Sequence, residues 1–395
     1  MSVAADRIPV ITSACRTPLG AFNGALRDLS APRLGSIAVR AALERSRVPP
    51  EQVDEVILGE VLTAGVGQAP ARQAALGAGV PDSVPCLTVN KVCGSGLKAV
   101  MLAAQAIRLG DAEIVVAGGM ESMSNAPYLL DKARTGYHLG HGQLVDSLIR
   151  DGLWDVYNDF HMGNAAELCA RELEITREAQ DEVAARSYRR ALDAIAAGAF
   201  AEEIVPVELE GGGASRTVSE DESPHAVRFE KIPALRPVFQ KDGTVTAANA
   251  SSVNDGAAAC VVMSAARAEA LGLTPLATIV EQSQSARKPE WFTTAPADAV
   301  SKVLERAGWQ RDDVDLFEIN EAFAVVSIAV SRLLGLDDER VNVHGGAIAL
   351  GHPIGASGCR ILVTLLHALR RHEKRRGVAS LCIGGGEAVA VAVER

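Results

Sequence analysis

The chain repeats part of itself. Leu43-Glu44-Arg45, Val53-Asp54 and Glu60 recur as Leu304-Glu305-Arg306, Val314-Asp315 and Glu321, every position shifted by 261. A second echo follows in the same order. Gly94-Ser-Gly-Leu-Lys98 resembles Ala356-Ser-Gly-Cys-Arg360, and Val115-Val-Ala-Gly-Gly119 resembles the layout of Ser380-Leu-Cys-Ile-Gly-Gly385. A shared spacing implies that similar turns join similar elements, so two units of one architecture are expected. Within each unit, short Val/Ile-rich runs alternate with Ala-rich helical patterns. Residues 53–58, 114–118, 316–320 and 378–383 read as buried strands, residues 7–13 as a first strand, and residues 34–45, 96–109 and 297–307 as helices. Such alternation predicts an α/β fold with helices layered over sheets. The stretch 122–252 breaks the pattern. It holds half of the eight histidines, a turn at Gly211-Gly-Gly-Ala-Ser215 and a charged helical run over 171–197 that reads as a solvated face. We read it as an insertion laid over one half. The domains are then 1–121 with 253–274, the insert 122–252, and 275–395.

Composition narrows the function classes. At 395 residues and 48% hydrophobic the chain can bury a large core, and with only 4% aromatics that core must be built from Ala, Val, Leu and Ile. A net charge of -10 argues against general attraction to nucleic acid, though not against a local basic patch for a phosphate-bearing small molecule. No uninterrupted apolar run reaches the roughly 18 residues of a membrane helix, and no secretory signal is expected at the N-terminus. The seven cysteines are odd in number, irregular in spacing and lack any Cys-x-x-Cys. A reducing cytoplasm is expected rather than a disulfide scaffold or a zinc ribbon.

Four places carry chemistry. Cys93 ends a strand-like run and precedes Gly94-Ser-Gly96, which opens a helix. The positive end of that helix, with Lys91 and Lys98 nearby, is expected to lower the thiol pKa. A buried structural cysteine is the alternative. His352 is hemmed by glycines in Gly345-Gly-Ala-Ile-Ala-Leu-Gly-His-Pro-Ile-Gly-Ala-Ser-Gly358, which leaves room for a ligand and suits proton transfer or hydrogen bonding to an oxyanion. Asn320 ends a strand in Glu318-Ile-Asn-Glu-Ala-Phe-Ala324, where an amide either caps the next helix or holds a water or carbonyl. Cys382 precedes Gly384-Gly-Gly386, whose N–H groups suit an oxyanion hole. The glycine run is not a nucleotide loop, because Gly-x-Gly-x-x-Gly and a P-loop lysine are both missing. His138-x-x-His141 lacks a third ligand at metal spacing.

Together, Val92-Cys-Gly-Ser-Gly96, Asn320-Glu-Ala-Phe-Ala324, Gly351-His-Pro-Ile-Gly-Ala-Ser-Gly358 and Cys382-Ile-Gly-Gly-Gly386 resemble the four active-site motifs of the thiolases. The resemblance spans the chain and takes in Arg16-Thr-Pro-Leu-Gly20, Ala117-Gly-Gly-Met-Glu-Ser-Met-Ser124 and Asn249-Ala-Ser-Ser-Val-Asn-Asp-Gly256. It is nearest to the acetyl-CoA C-acetyltransferases, and His161-Met162 typifies the short-chain members. It implies a five-layered αβαβα fold of two similar halves with an inserted, coenzyme A-binding loop domain, and a homodimer or dimer of dimers, here a homotetramer. It implies that Cys93 is the acyl nucleophile, that His352 activates it and holds the thioester oxygen, and that Asn320 positions a water in the first oxyanion hole. Cys382 becomes the general acid/base, and the N–H groups of Cys93 and Gly384 the second hole. Ser251 matches a pantetheine contact, and Met162 with His161 the acyl pocket. The substrates are acetyl-CoA, acetoacetyl-CoA and CoA, with no cofactor required, no nucleic acid and no membrane.

Two departures from the usual pattern stand out. Thr246-Ala-Ala-Asn-Ala-Ser251 resembles the potassium-binding mitochondrial members, which places Tyr188, Ala247, Ala248, Ala250 and Ile348 around an ion and implies a potassium-stimulated enzyme. Glu387 stands where an uncharged residue is usual, and a carboxylate there is expected to raise the Cys382 pKa or to point away. Competing readings are a longer-chain 3-ketoacyl-CoA thiolase, a decarboxylating condensing enzyme, a non-catalytic acyl-CoA carrier and a nucleotide-dependent dehydrogenase. Cys382 beside a single Gly-His-Pro histidine argues against the second, the intact Cys93, His352 and Cys382 against the third, and the absent dinucleotide fingerprint against the fourth.

Overall fold

A computed structural model describes residues 7–211 and 214–395. The first half runs β1 (Pro9–Arg16), α1 (Ala31–Ser46), β2 (Glu55–Gly59), β3 (Cys86–Val89), α2 (Ser95–Leu109) and β4 (Ile114–Ser122). After an insert containing α3 (Met162–Glu172) and α4 (Arg177–Ala196), β5 (Asn254–Ser264) completes it. The second half runs β6 (Ala277–Ala286), α5 (Ala295–Ala307), β7 (Leu316–Ile319), α6 (Ala324–Leu334), α7 (Ile354–Arg371), β8 (Arg376–Ile383) and β9 (Glu387–Glu394). Strands β1-β5-β4-β2-β3 form one sheet, with β2 parallel to both neighbours, and β6-β9-β8-β7 repeat the order with β7 parallel to β8. The sheets join where β1 meets β6, at Val10–Thr278 and Ile11–Ala277.

The repeat persists in atomic detail. The Asp54 carboxylate accepts the N–H groups of Glu113 and Ile114 at 2.8 and 2.9 Å, which grips the start of β4. Its counterpart Asp315 accepts those of Arg375 and Arg376 at 3.0 and 2.9 Å, which grips the start of β8. Helices α1 and α5 both stop at a left-handed residue, Arg47 (φ 57°) and Gly308 (φ 67°), at matching places in the repeat.

Five layers follow from which faces are apolar. Helix α1 covers the outer face of the first sheet and α5 that of the second, while α2 and α7 lie side by side between the sheets. The central core joins Leu97, Val100 and Ile107 of α2 to Ile361 and Leu365 of α7 and to inward residues of both sheets. The two helices touch backbone to backbone. A Cβ on Gly96 would sit 2.8 Å from the Cys359 nitrogen, and one on Gly358 would sit 2.4 Å from the Leu97 nitrogen. The stretch Val92–Leu109 has a mean hydropathy of 1.2 over 18 residues, but it is this central helix with its lead-in, packed between the sheets.

The insert reaches both halves. Val207 and Val218 join the outer core of the first half, whereas Ala165, Ala166 and Cys169 of α3 join that of the second. The charged run expected as one solvated helix is broken. Helix α3 ends at Glu172, Glu174 turns left-handed (φ 49°), and α4 begins after the Thr176 cap. Helix α4 also buries Gln180, Val183, Ala184 and Ser187, so only part of it faces solvent. The Gly211–Ser215 turn joins strands Val207–Gly211 and Ala214–Val218, with residues 212–213 outside the described residues.

Candidate active site

Strand β3 ends at Val89, and five residues, Asn90 to Gly94, swing the chain into α2 with Cys93 near the apex. Val92 pays for the sharpness of that turn with φ 45°, a left-handed conformation that a β-branched side chain rarely adopts. Three hydrogen bonds hold it there. Val92 N–H donates to Asn90 Oδ1 (3.0 Å), Ser95 Oγ donates to the Val92 carbonyl (2.7 Å) and Ser95 Oγ accepts from Lys91 N–H (2.8 Å). A strained strand-to-helix elbow of this kind displays a nucleophile. The thiol is not pre-ionised, contrary to the expectation from its helix end. Burial pushes Cys93 up to about 11, outweighing the lowering by the N–H groups of Gly384 and of Cys93 itself. Nor is the Lys91 ammonium available to help, because it pairs with Glu387. Cys93 therefore needs a base.

His352 sits between Gly351 (φ 113°) and the Pro353 that caps α7. Its N–H donates to Asn254 Oδ1 at 3.0 Å. Its Nδ1 lies 2.5 Å from Ser357 Oγ, and that hydroxyl is also 2.8 Å from the Pro353 carbonyl. Serine has one proton to give. With that proton on Pro353, we assign the ring hydrogen to Nδ1 and the lone pair to Nε2. Nε2 is buried without a partner. Burial, helped by the Arg360 charge, pushes the imidazole down to about 3, so it is a neutral proton acceptor. Glu121 ties this segment to the first half by accepting the N–H groups of Gly355 (2.9 Å), Val61 (3.0 Å) and Leu62 (3.1 Å).

Asn320 follows β7, with its N–H on the Ser380 carbonyl at 3.0 Å. Phe323 is the cap residue of α6 and makes no side-chain cap, so the helix-capping alternative for Asn320 fails. Asn320 is 1% exposed and its Nδ2 has no partner. Cys382, on β8, is fully buried. Desolvation, then the charge of Cys93, holds its thiol well above the ordinary value. Glu387 is not among the groups that act on Cys382, since it turns to Lys91, which answers the question its sequence position raised.

A cavity of about 230 Å³ brings together Cys93, His352, Gly384, Ser251, His161 and Met162. Ser251 N–H and Oγ both donate to the Ala322 carbonyl at 3.0 Å. His161 caps α3 by accepting Gly163 N–H on Nδ1 (3.0 Å) and stacks on Phe239 at 4.7 Å. Met162 Sδ lies 3.6 Å from where a Cβ on Gly384 would stand. Cys382 and Asn320 are buried and do not line this cavity, but Cys382 lies close enough to Cys93 for that thiol's charge to act on it. Size alone would mislead, because a cleft of about 700 Å³ between α4 and α6 holds none of these side chains. Several contributors were not singled out from the sequence, although Phe323, Asn254 and Glu121 lie inside quoted motifs. Phe239, Phe292 and Phe323 line the pocket, and Asn254 and Glu121 brace the His352 segment from distant elements. Ser357 lies inside a motif and could have been proposed as the histidine's partner.

Around the suggested ion, Tyr188 packs with Ile348, Ala248 is buried, Ala247 is exposed and Ala250 pairs with Phe323. The carbonyls of Ala247 and Ala248 accept no hydrogen bond among the described residues. Free carbonyls and a phenol are oxygen donors, which fits a hard monovalent cation. No cluster of three or more His, Cys, Asp or Glu suited to a metal occurs among the described residues, and His138 and His141 lie exposed.

The profile of the thiolase N-terminal domain matches residues 9–266, and that of the thiolase C-terminal domain matches residues 273–395. An acetyl-CoA acetyltransferase of Cupriavidus necator is 57% identical over 388 residues, covering 98% of this chain and 99% of that one. Another from Schizosaccharomyces pombe is 54% identical over 387 residues, covering 98% of each. The crystal structure of the Bacillus anthracis acetyl-CoA acetyltransferase superposes with a TM-score of 0.97 at 45% identity, covering 100% of both chains.

A Cys93 thiol raised to about 11 makes a direct prediction. Its alkylation by iodoacetamide, followed by mass spectrometry of the Cys93 peptide, should climb by about tenfold per pH unit through the neutral to mildly alkaline range. A rate already level at neutral pH would mean a thiolate at rest.

Proposed function

The chain belongs to the thiolase family, and we propose that it is an acetyl-CoA C-acetyltransferase, condensing two acetyl-CoA to acetoacetyl-CoA and CoA and catalysing the reverse thiolysis. The observation that carries this reading is the convergence of a strained, un-ionised Cys93 and a neutral His352 with a free Nε2 on one small cavity.

The chemistry is ping-pong. His352 Nε2 takes the Cys93 proton as sulfur attacks the thioester carbonyl. The resulting oxyanion is met by the new Nε2–H and by a water held by Asn320 Nδ2. Cys382, a thiol at rest, gives its proton to the departing CoA sulfur, and acetyl-Cys93 remains. The Cys382 thiolate then removes a methyl proton from the second acetyl-CoA. Its raised pKa makes it a strong base for so weak a carbon acid. The enolate oxygen is met by the N–H groups of Cys93 and Gly384, donors worth about 3–4 kcal/mol each in related holes. Attack of the enolate on acetyl-Cys93 expels the Cys93 thiolate, which recovers its proton from His352. All three ionisable groups end as they began.

The pocket supports short acyl groups. Its volume of about 230 Å³ is closed by Met162, His161 and three phenylalanines. Cleavage of acetoacetyl-CoA by CoA, with a long-chain 3-ketoacyl-CoA in parallel, tests this. We expect the short substrate alone to be cleaved, and Cys93→Ala to lose a factor of about 10⁴ or more. Preference for the long chain would overturn the substrate assignment. Activity kept in Cys93→Ala would overturn the mechanism.

Potassium would be held by Tyr188 and the carbonyls of Ala247, Ala248, Ala250 and Ile348, and when bound would order the turn leading into Ser251. CoA affinity and melting temperature should both be higher in potassium than in sodium chloride. Equal values in the two salts would remove the ion.

We further place the enzyme in the cytoplasm as a homotetramer. All seven cysteines are unpaired, which supports a reducing compartment. A hairpin of Tyr128–Leu130 with Leu144–Asp146 stands out from the insert, and Tyr128, Leu130, Leu139 and Leu144 on it are exposed. Such an apolar tip suits a second copy of the chain. Light scattering should give four times the 41.3 kDa chain mass, and Leu130→Glu with Leu144→Glu should lower it to two. A wild-type chain that runs as a monomer would overturn the assembly.

A further inference from the structure

Helix α7, which begins two residues after His352, carries more of the site. Ser357, which meets the His352 ring, and Arg360 are three residues apart and share a helix face. Arg360 is fully buried, and its Nη2 lies 3.4 Å from Asn320 Oδ1. Glu318 on the facing strand β7 and Asn320 just past its end are two residues apart and both face Arg360. Glu318 lies beside the guanidinium, its Oε2 3.7 Å from Nη1 and so outside hydrogen-bond reach, and burial raises its carboxyl to about 8. A guanidinium has donors and no acceptor, so only the oxygen end of an amide can face it. The Asn320 amide therefore has one allowed orientation, and its unpartnered Nδ2 must point the other way.

The internal repeat sharpens the point. Lys98 matches Arg360, but Gly59 and Ile57 stand where the second half has Asn320 and Glu318. The first half thus has the basic residue without the amide or the carboxyl. The trio belongs to the half that supplies the oxyanion water.

We propose that Arg360 is a positioning residue for acyl transfer, holding the Asn320 amide with Nδ2 toward the oxyanion water. The claim rests on the role given to Asn320 above. Through Ser357 and Arg360, one helix face aims both parts of the first oxyanion hole. The Arg360 charge also helps to keep His352 neutral.

The test is a double-mutant cycle on acetoacetyl-CoA thiolysis, with melting temperature and circular dichroism to confirm folding. Arg360→Lys keeps the charge and loses the planar fork. It should lower kcat by about tenfold and leave KM within about twofold. Added to Asn320→Ala, it should cause no further loss. Glu318→Gln alters only this neighbour of the guanidinium and should give a smaller fall in kcat, also absent in the Asn320→Ala background. Wild-type kcat in Arg360→Lys, or losses that multiply with Asn320→Ala, would overturn the proposal while leaving the acetyltransferase reading intact. Unchanged kcat in Asn320→Ala alone would overturn the role of Asn320 and this inference with it.

Discussion

The contact between α2 and α7 is the constraint on which the site depends. Two helices that share one layer between two sheets must approach closely, and Gly96 and Gly358 let their backbones touch. A third glycine, Gly119 on β4, admits the Gly355 carbonyl where any Cβ would stand 2.1 Å from it. The strained elbow that carries Cys93 opens one helix and the histidine loop opens the other. Bringing the two N-terminal ends together brings Cys93 and His352 to one cavity. Glu121 then fastens the histidine segment to the first half with backbone hydrogen bonds.

Burial decides the resting state of the chemistry. Helix-end potential favours a thiolate at Cys93, and desolvation opposes it more strongly. The same imbalance keeps Cys382 a thiol and His352 an unprotonated imidazole. In the proposed cycle, charge therefore forms only as bonds change, in front of donors already in place. Preorganised donors cost nothing to reorganise at that moment, which is where such sites gain their rate. His352 Nε2 and Asn320 Nδ2 are left without protein partners, free to meet a substrate or a water.

Much of this was legible beforehand. The 261-residue shift foretold two like halves, and Asp54 and Asp315 grip equivalent strand starts in both. Strand and helix ends read from periodicity fall within a few residues of the observed ones, as at 96–109 against Ser95–Leu109. The failures share a cause. The sign of the Cys93 shift, the break at Glu174 and the reach of the insert into both halves depend on what packs against each segment, which spacing does not encode. Asn320 shows the limit well: as a strand-end amide it suits a cap and a catalytic role equally, and only the position of α6 removes the first.

By itself the sequence determined the architecture and the inventory of reactive groups, because periodicity, turn chemistry and the repeat are local properties written in residue order. Tertiary structure alone decided their states and partners. Protonation follows desolvation by atoms distant along the chain. The orientation of an amide follows from which donor faces it, and Arg360 reaches Asn320 from forty residues away. Pocket size is set by Phe239, Phe292 and Phe323, side chains from three separate elements that no motif links.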